Sequence, residues 1–188
     1  MTNAMGVAQG ARAEAEPAME LVPALERLFS RRLPARTGQD ISHLRARLGT
    51  GNSMFRKSTC LDKPRPFNPD FNDGGEDVWF LRELVQEKDI PLIWCAEASV
   101  DEIVPSDRMS SDYLKRRLFK NGQLRCRIER GSRGLPGTAR VASWMVIGTL
   151  QVVFYGLASQ LCRPFSTEKM TDFDLRAAGG LGKLLWWR

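Results

Sequence analysis

The sequence predicts an α/β domain followed by a hydrophobic, membrane-associated helix. Three observations support this prediction. Apolar residues repeat at helical spacing after Glu76 and Asp77, which predicts a helix to about Lys88. The apolar segment from Ile90 to Ala96 is typical of a short strand, and residues 97–105 continue it in extended form. Further along, the uncharged run from Ala142 to Cys162 has the length of a helix that crosses a bilayer.

The composition is that of a globular protein. The chain has 188 residues, of which 43% are hydrophobic and 27% charged, which is enough for one domain with a core and an appendage. The four cysteines lie far apart without a Cys-x-x-Cys pair, and His43 is the only histidine. This pattern disfavours a zinc site and fits a reducing compartment.

Positive charge is concentrated in one stretch. The net charge is +6, and nearly all charged residues from 115 to 140 are basic, with Glu129 as the exception. They are Lys115, Arg116, Arg117, Lys120, Arg125, Arg127, Arg130, Arg133 and Arg140. Such a block favours an anionic partner, such as phosphate groups or an anionic membrane surface. Because aromatic residues are not interleaved with the basic ones, we do not expect a nucleic-acid partner.

We expect three segments along the chain. Residues 1–40 form an N-terminal tail, loose to about residue 19, with a short amphipathic helix from Glu20 to Leu33. Residues 41–133 form the α/β part, in which a second helix begins at Ser111 and stops at Gly122. Residues 134–188 form the membrane-associated helix and an amphipathic tail that ends in two tryptophans beside basic residues.

Polar residues interrupt the hydrophobic run, so three interpretations of it remain open. It spans the membrane, lies in the membrane interface, or packs as a buried helix on the domain. Membrane contact is favoured, because a core helix of this length would normally show a charged face.

Two glycines lead into two carboxylates in the stretch "DGGEDVWFLREL" from Asp73 to Leu84. This order is close to the nucleotide cyclase signature GGDEF. That reading needs an aromatic residue directly after the acids and a hairpin around them. Here Val78 takes the aromatic position, a Pro/Asn-rich loop precedes the acids and a helix follows. We therefore set the cyclase interpretation aside.

Several motifs in order resemble another family. They are "TGNSMFRKS" (50–58), "PFNPDFNDGGEDVWFLREL" (66–84), "IWCAEASVDEIVP" (93–105) and "DRMSSDYLKRRLFKNG" (107–122). Together they resemble the C-terminal half of a family 2 glycosyltransferase of the bacterial exopolysaccharide type, over roughly residues 45 to 122. The resemblance implies a partial GT-A, Rossmann-like fold, with residues 41–133 as its acceptor-side half.

The resemblance also implies roles for individual residues. Asp77 would be the general base that takes the proton of an acceptor hydroxyl, and Glu76 would orient that base or the acceptor. The structural alternative is that Asp77 only caps the helix. Asn52 of the Thr-Gly-Asn motif and Gly75 of the Gly-Gly-Glu-Asp motif are candidate substrate-binding residues.

Two arginines and one acid complete the candidate site. Arg116 and Arg117 lie near the position of a Gln-x-x-Arg-Trp motif in processive relatives, where an arginine can hold the diphosphate leaving group. The alternative is a basic helix face that contacts lipid phosphates. Glu102 takes the position of a metal-proximal histidine and is a candidate metal ligand. Trp79 and Trp94 either stack on a sugar or base or belong to the core.

Relatives of this kind use Mg²⁺ or Mn²⁺, held by an Asp-x-Asp motif in the donor-binding half. The Asp-x-Asp sequence of this chain is "DFD", Asp172 to Asp174, which does not follow a predicted strand and is attributed to chance. We therefore expect a chain without the donor and metal half, which is either missing from a truncated gene product or lies on a separate chain.

The predicted function is transfer of a sugar from a nucleotide-sugar donor to the hydroxyl of a lipid-linked or saccharide acceptor. It would be an inverting reaction at the cytoplasmic face of the inner membrane, by a membrane-associated or single-pass protein. The alternative is a non-catalytic remnant of that fold that binds a membrane surface or a partner.

Overall fold

The chain is mostly helical, with short elements in its first part and long helices in its second. A computed structural model describes residues 3–13, 17–30, 33–131 and 137–188. The strands and α-helices are, in chain order, β1 (Asn3–Ala13), α1 (Val22–Phe29), α2 (Lys57–Cys60), α3 (Glu76–Gln86), β2 (Leu92–Val104), α4 (Ser111–Arg130), α5 (Gly137–Cys162) and α6 (Thr167–Leu184). Short 3₁₀ turns lie at Met19–Leu21, Ser42–Arg47, Pro69–Phe71 and Ser106–Met109. Strands β1 and β2 pair in a two-stranded sheet.

The contacts divide the chain into two compact units. The first holds the described residues up to Gly10 together with Ser30–Glu102, and the second holds the described residues of 11–29 and 103–188. This division does not test the predicted segment boundaries after residues 40 and 133, which stay a prediction. The Rossmann-like, GT-A part of the predicted fold also stays a prediction, since the described strands form one small sheet.

The core of the first unit forms where α3 packs beside β2. Phe80, Leu81 and Leu84 of α3 bury their side chains against Leu92 and Trp94 of β2. Residues 39–41 run antiparallel to the start of β2, since the amide of residue 41 donates to the residue 92 carbonyl at 2.8 Å and the amide of residue 94 to that of residue 39 at 2.9 Å. The predicted helix after Glu76 and the predicted strand and its extension are confirmed.

The N-terminal tail is not loose along its whole length. The structure pairs Asn3–Ala13 with β2, so the prediction of a loose tail was wrong for these residues. An Ala- and Gly-rich segment carries no alternating apolar pattern, and its strand arises from backbone hydrogen bonds offered by the edge of β2. The stretch 48–61 forms turns and the short helix α2.

The second unit joins α1 to three long helices. The predicted amphipathic helix is confirmed in α1, where Leu25 and Phe29 are buried, but the helix ends at Phe29 rather than Leu33. These side chains pack with Leu114 of α4 and Leu175 of α6. Serine hydroxyls cap α4 and α6, since the side chains of Ser110 and Ser166 each accept an amide hydrogen bond.

The prediction that the helix after Ser111 stops at Gly122 was wrong, because α4 continues to Arg130. Gly122 is buried in the middle of α4. A side chain there would collide with the carbonyl oxygen of Gly179 in α6. The glycine therefore serves close packing between two helices, whereas the prediction treated it as a local stop signal.

Candidate functional site

Two glycines place the predicted carboxylates at the start of α3. Gly74 has a φ of 117° and Gly75 a φ of 92°, so the chain turns through left-handed backbone that favours glycine. Helix α3 then begins at Glu76, and Asp77 lies in the same first turn. Both carboxylates therefore lie at the positive end of the helix dipole.

Hydrogen bonds join three of the predicted motifs. The hydroxyl of Thr50 donates a hydrogen bond to Oδ1 of Asp77. Two residues further along, the side-chain amide of Asn52 donates to the backbone carbonyl of Ala98 in β2 at 2.8 Å. The Thr-Gly-Asn turn therefore bridges the start of α3 and the middle of β2. In the first unit, Asn52 lies in the turn that contacts Asp77, and Gly75, Glu76 and Asp77 follow one another at the start of α3.

Glu76 carries a buried oxygen without a partner. Its Oε2 is shielded from solvent and makes no hydrogen bond with any residue that the structure describes. Leaving a charged or polar group in this state costs free energy, so such groups in proteins usually serve a ligand, a water or a reaction. Asp77 and Glu76 thus differ, because the first is held by Thr50 and the second has a free acceptor.

Aromatic side chains hold the loop that carries the two glycines against α3. Trp79 stacks on Phe71 with ring centroids 5.0 Å apart. Phe80, on the same helix, contacts Phe67 at 4.7 Å and Phe55 at 5.2 Å. Trp94 is buried in the core of the first unit, so its core interpretation is confirmed. The packing fixes the position of the carboxylate pair relative to its loop.

The predicted arginines lie in the second unit, on α4. Arg117 donates to the hydroxyl of Tyr113 at 3.1 Å, and its guanidinium lies 4.8 Å from the ring centroid of Phe29. Arg116 is exposed to solvent. Arg117 therefore has a structural role between α4 and α1, whereas Arg116 is accessible to an anion. Their role in holding a diphosphate stays a prediction.

The described residues contain no group of three or more side chains suited to hold a metal ion. Glu102 is exposed on β2. In the Asp-x-Asp sequence, Asp172 lies 2.7 Å from Arg27 and 2.7 Å from Arg176, and Asp174 accepts from the hydroxyl of Ser159 at 2.5 Å. Burial alone would raise the pKa of Asp172, but the contacts with the two arginines outweigh it and hold the pKa below its usual value.

A second candidate site is the surface of α5. Among the described helices, α5 is the one that is long and apolar enough to cross a membrane. Its 26 residues give a helix about 39 Å long, compared with about 30 Å for the hydrocarbon layer. The predicted hydrophobic helix is therefore confirmed, and it begins earlier, at Gly137.

The contacts that join these residues were not predicted. Thr50 was noted as the first residue of a motif, and its hydrogen bond to Asp77 connects positions 27 residues apart. The glycines of α6 were read as part of an amphipathic tail, although they pack against α4 and α5. Their spacing, small residues among leucines on a helix, is the signal that would have indicated close helix packing.

Comparison of the chain with protein-family models, curated proteins and solved structures finds no match.

Proposed function

We propose that this chain is the acceptor-side part of an inverting, membrane-associated glycosyltransferase with a partial GT-A fold. The observation that carries the proposal is the hydrogen bond from Thr50 to Asp77, together with the contact from Asn52 to Ala98. Three segments that resemble family 2 glycosyltransferase motifs in sequence lie next to one another in space. A helix cap alone would not require this convergence.

The reaction assigns one role to each carboxylate. Asp77 takes the proton of an acceptor hydroxyl as the acceptor oxygen bonds to the anomeric carbon of the donor sugar. The bond between that carbon and the nucleotide diphosphate breaks with inversion, and the nucleotide diphosphate leaves with the bonding electrons. Glu76, through its free Oε2, orients the acceptor hydroxyl. Asn52 and Gly75 line the acceptor side.

The nucleotide-sugar donor and its metal ion need a binding site of their own. Mg²⁺ or Mn²⁺ would neutralise the departing diphosphate, but the described residues do not fit a site for such an ion. We propose that a separate chain supplies the donor- and metal-binding half. The acceptor is a lipid-linked or free saccharide, and the location is the cytoplasmic face of the inner membrane.

The test is a comparison of Asp77→Asn with Asp73→Asn. The purified chain is reconstituted in anionic vesicles with Mn²⁺, labelled nucleotide sugars and polyprenyl-phosphate acceptors, with and without a membrane fraction as a source of the second half. Asp77→Asn should lower transfer by about 10²–10⁴-fold. Asp73 is exposed in the loop before α3 and is the matched control, with transfer within about twofold of wild type.

The alternative is a non-catalytic module that binds a membrane surface. The exposed apolar residues of α5 favour it, because they indicate surface binding whether or not a sugar is transferred. Transfer that is absent in both mixtures, or that is equal in Asp77→Asn and wild type, would replace the enzymatic proposal with this one. Heat stabilisation by a nucleotide sugar with Mn²⁺ would argue against a purely non-catalytic role.

A further inference from the structure

Helix α5 has one continuous apolar face that the described residues leave open. Six large apolar side chains at spacings of three or four residues are more than half exposed. They are Val146, Leu150, Val153, Phe154, Leu157 and Leu161. We call these six residues the outer face of α5. An apolar stripe of this length is unusual on a freely soluble helix and indicates a surface that another apolar phase covers.

The opposite side of α5 contacts charged side chains along most of its length. Near its start, the guanidinium of Arg125 lies 4.9 Å from the ring centroid of Trp144. In its middle, Lys183 donates to the side chain of Gln151 at 2.7 Å. Towards its end, Ser159 donates to Asp174. Charged side chains of α4 and α6 therefore contact α5 along most of its length.

Glycines keep these helices together at van der Waals distance. A side chain at Gly148 of α5 would come within 2.8 Å of the carbonyl oxygen of Gly180 in α6. A side chain at Gly182 of α6 would collide with the carbonyl oxygen of Phe119 in α4. Contacts this close leave no room for lipid between α5, α6 and α4.

An orientation in which α5 spans the membrane therefore has a high cost in free energy. It would draw α6 and the strongly basic α4 into the hydrocarbon with it, where each charged side chain is costly. Helix α6 is in turn joined to α1, through the ion pair between Arg27 and Asp172. An orientation parallel to the membrane leaves all these charges on the aqueous side and buries only the outer face.

We infer that α5 lies flat in the surface of an anionic membrane, with its outer face among the lipid acyl chains. Arg140 and Arg163 stand near its two ends, and the exposed Phe165 lies shortly after its last residue. These arginines and the basic residues of α4 complement anionic headgroups. A second copy of the chain would instead bring one net charge of +6 against another. The inference rests on the proposed membrane association and is independent of sugar transfer.

The test measures the depth of α5 in vesicles of phosphatidylcholine and phosphatidylglycerol. Single cysteines replace Val146, Leu150, Phe154, Leu157 and Leu161 in a chain with Cys95→Ser and Cys162→Ser, and each is labelled with an environment-sensitive fluorophore. Lipids with quenchers at known depths should give the same shallow depth at all five positions. A depth that is greatest at Phe154 and falls towards both ends shows a spanning helix and overturns the inference.

A vesicle flotation experiment distinguishes the remaining outcomes. Leu150→Glu with Leu157→Glu should lower vesicle flotation at least about tenfold, since two charges enter the apolar face. Met54→Glu changes an exposed apolar residue of the first unit and should leave flotation unchanged. Dimers that the double variant abolishes, without lipid contact at the labels, would assign the face to a second copy. Wild-type chain that does not float refutes membrane association, whatever the transfer assay shows.

Discussion

At the scale of single residues, Asp77 depends on a partner that is distant in sequence. Thr50 lies in a turn, and its hydroxyl holds one carboxylate oxygen of Asp77 at the start of α3. The left-handed Gly75 immediately before α3 sets the direction of the two carboxylates. Glu76 then keeps an oxygen without a partner among the described residues. The two acids are thus distinguished by their neighbours, as the proposed division of roles requires.

Replacing Thr50 with valine keeps the shape of the side chain and removes the hydroxyl. We expect Thr50→Val to lower the free energy of unfolding by about 1–2 kcal/mol, because a hydrogen bond to a charged group is lost. Urea unfolding measures the change, and Thr59→Val, at an exposed threonine, is the control. In an Asp77→Asn background, Thr50→Val should lower the free energy of unfolding by a smaller amount. Strict additivity of the two substitutions would contradict the coupling.

Asp172 stabilises the second unit through Arg27 and Arg176. Because its pKa is lowered in the folded state, this stabilisation is complete above the ordinary aspartate value near 4 and is lost as the pH falls. We expect Asp172→Asn to cost about 1 kcal/mol at neutral pH, a modest value since both arginines are partly exposed.

The difference between wild type and Asp172→Asn should therefore shrink below about pH 4, as measured by urea unfolding at a series of pH values. Asp107→Asn, at an exposed position, controls for loss of one negative charge. A difference that grows on acidification would show that the ion pairs do not stabilise the fold.

At the scale of elements, glycines determine how the three long helices pack. Gly122 of α4 faces Gly179 of α6, Gly182 faces the backbone at Phe119, and Gly148 of α5 faces Gly180. At these glycines, helix α6 therefore approaches two helices with its backbone. Each glycine weakens its own helix slightly, and the gain is close packing over a long interface.

Gly182→Ala tests this packing. Its new methyl group would meet the carbonyl oxygen of Phe119, so we expect a loss of about 2 kcal/mol or more in unfolding free energy. Gly156 of α5 has open space around it and is the matched control, since Gly156→Ala should be neutral or stabilise by up to about 1 kcal/mol. Equal effects of both substitutions in urea unfolding would show that the glycines do not determine the packing.

The elements differ in how well their sequence predicts them. Helix α3 and strand β2 were predicted because local periodicity and a Gly-Gly turn determine them. Gly122 was misread because the stop signal is a local rule, whereas the space that requires the glycine is provided by α6, far along the chain. Strand β1 was missed because its pairing partner, rather than its own pattern, makes it a strand. The carboxylate pair was found as a motif, but Thr50 as its partner required the fold.

At the scale of the whole molecule, charge and apolar surface are distributed differently. The net charge of +6 comes largely from residues of α4, whereas the large exposed apolar residues are concentrated on α5. Both helices belong to the second unit, and the carboxylate site belongs to the first. The proposed membrane attachment and the proposed chemistry therefore depend on different units.

This distribution predicts how membrane binding responds to salt. Raising the ionic strength from about 0.05 to about 0.5 M shortens the Debye length and should weaken binding to phosphatidylglycerol vesicles about tenfold. Binding should not disappear, because burial of the apolar residues of α5 is insensitive to screening. Flotation assays at each salt concentration measure the effect. Binding that is independent of salt would show that the basic residues do not contribute to membrane binding.

The packing of α6 against α1 has a consequence for biosynthesis. Helix α1 leaves the ribosome well before α6, whose Leu175 packs against it. The first unit ends at residue 102 and has its core available before α6 is made, since domains generally fold as they emerge. During the remaining synthesis, Leu25 and Phe29 stay uncovered by α6. A nascent chain of this protein therefore exposes the apolar face of α1 until α6 has been made, and a chaperone can bind that face during this time.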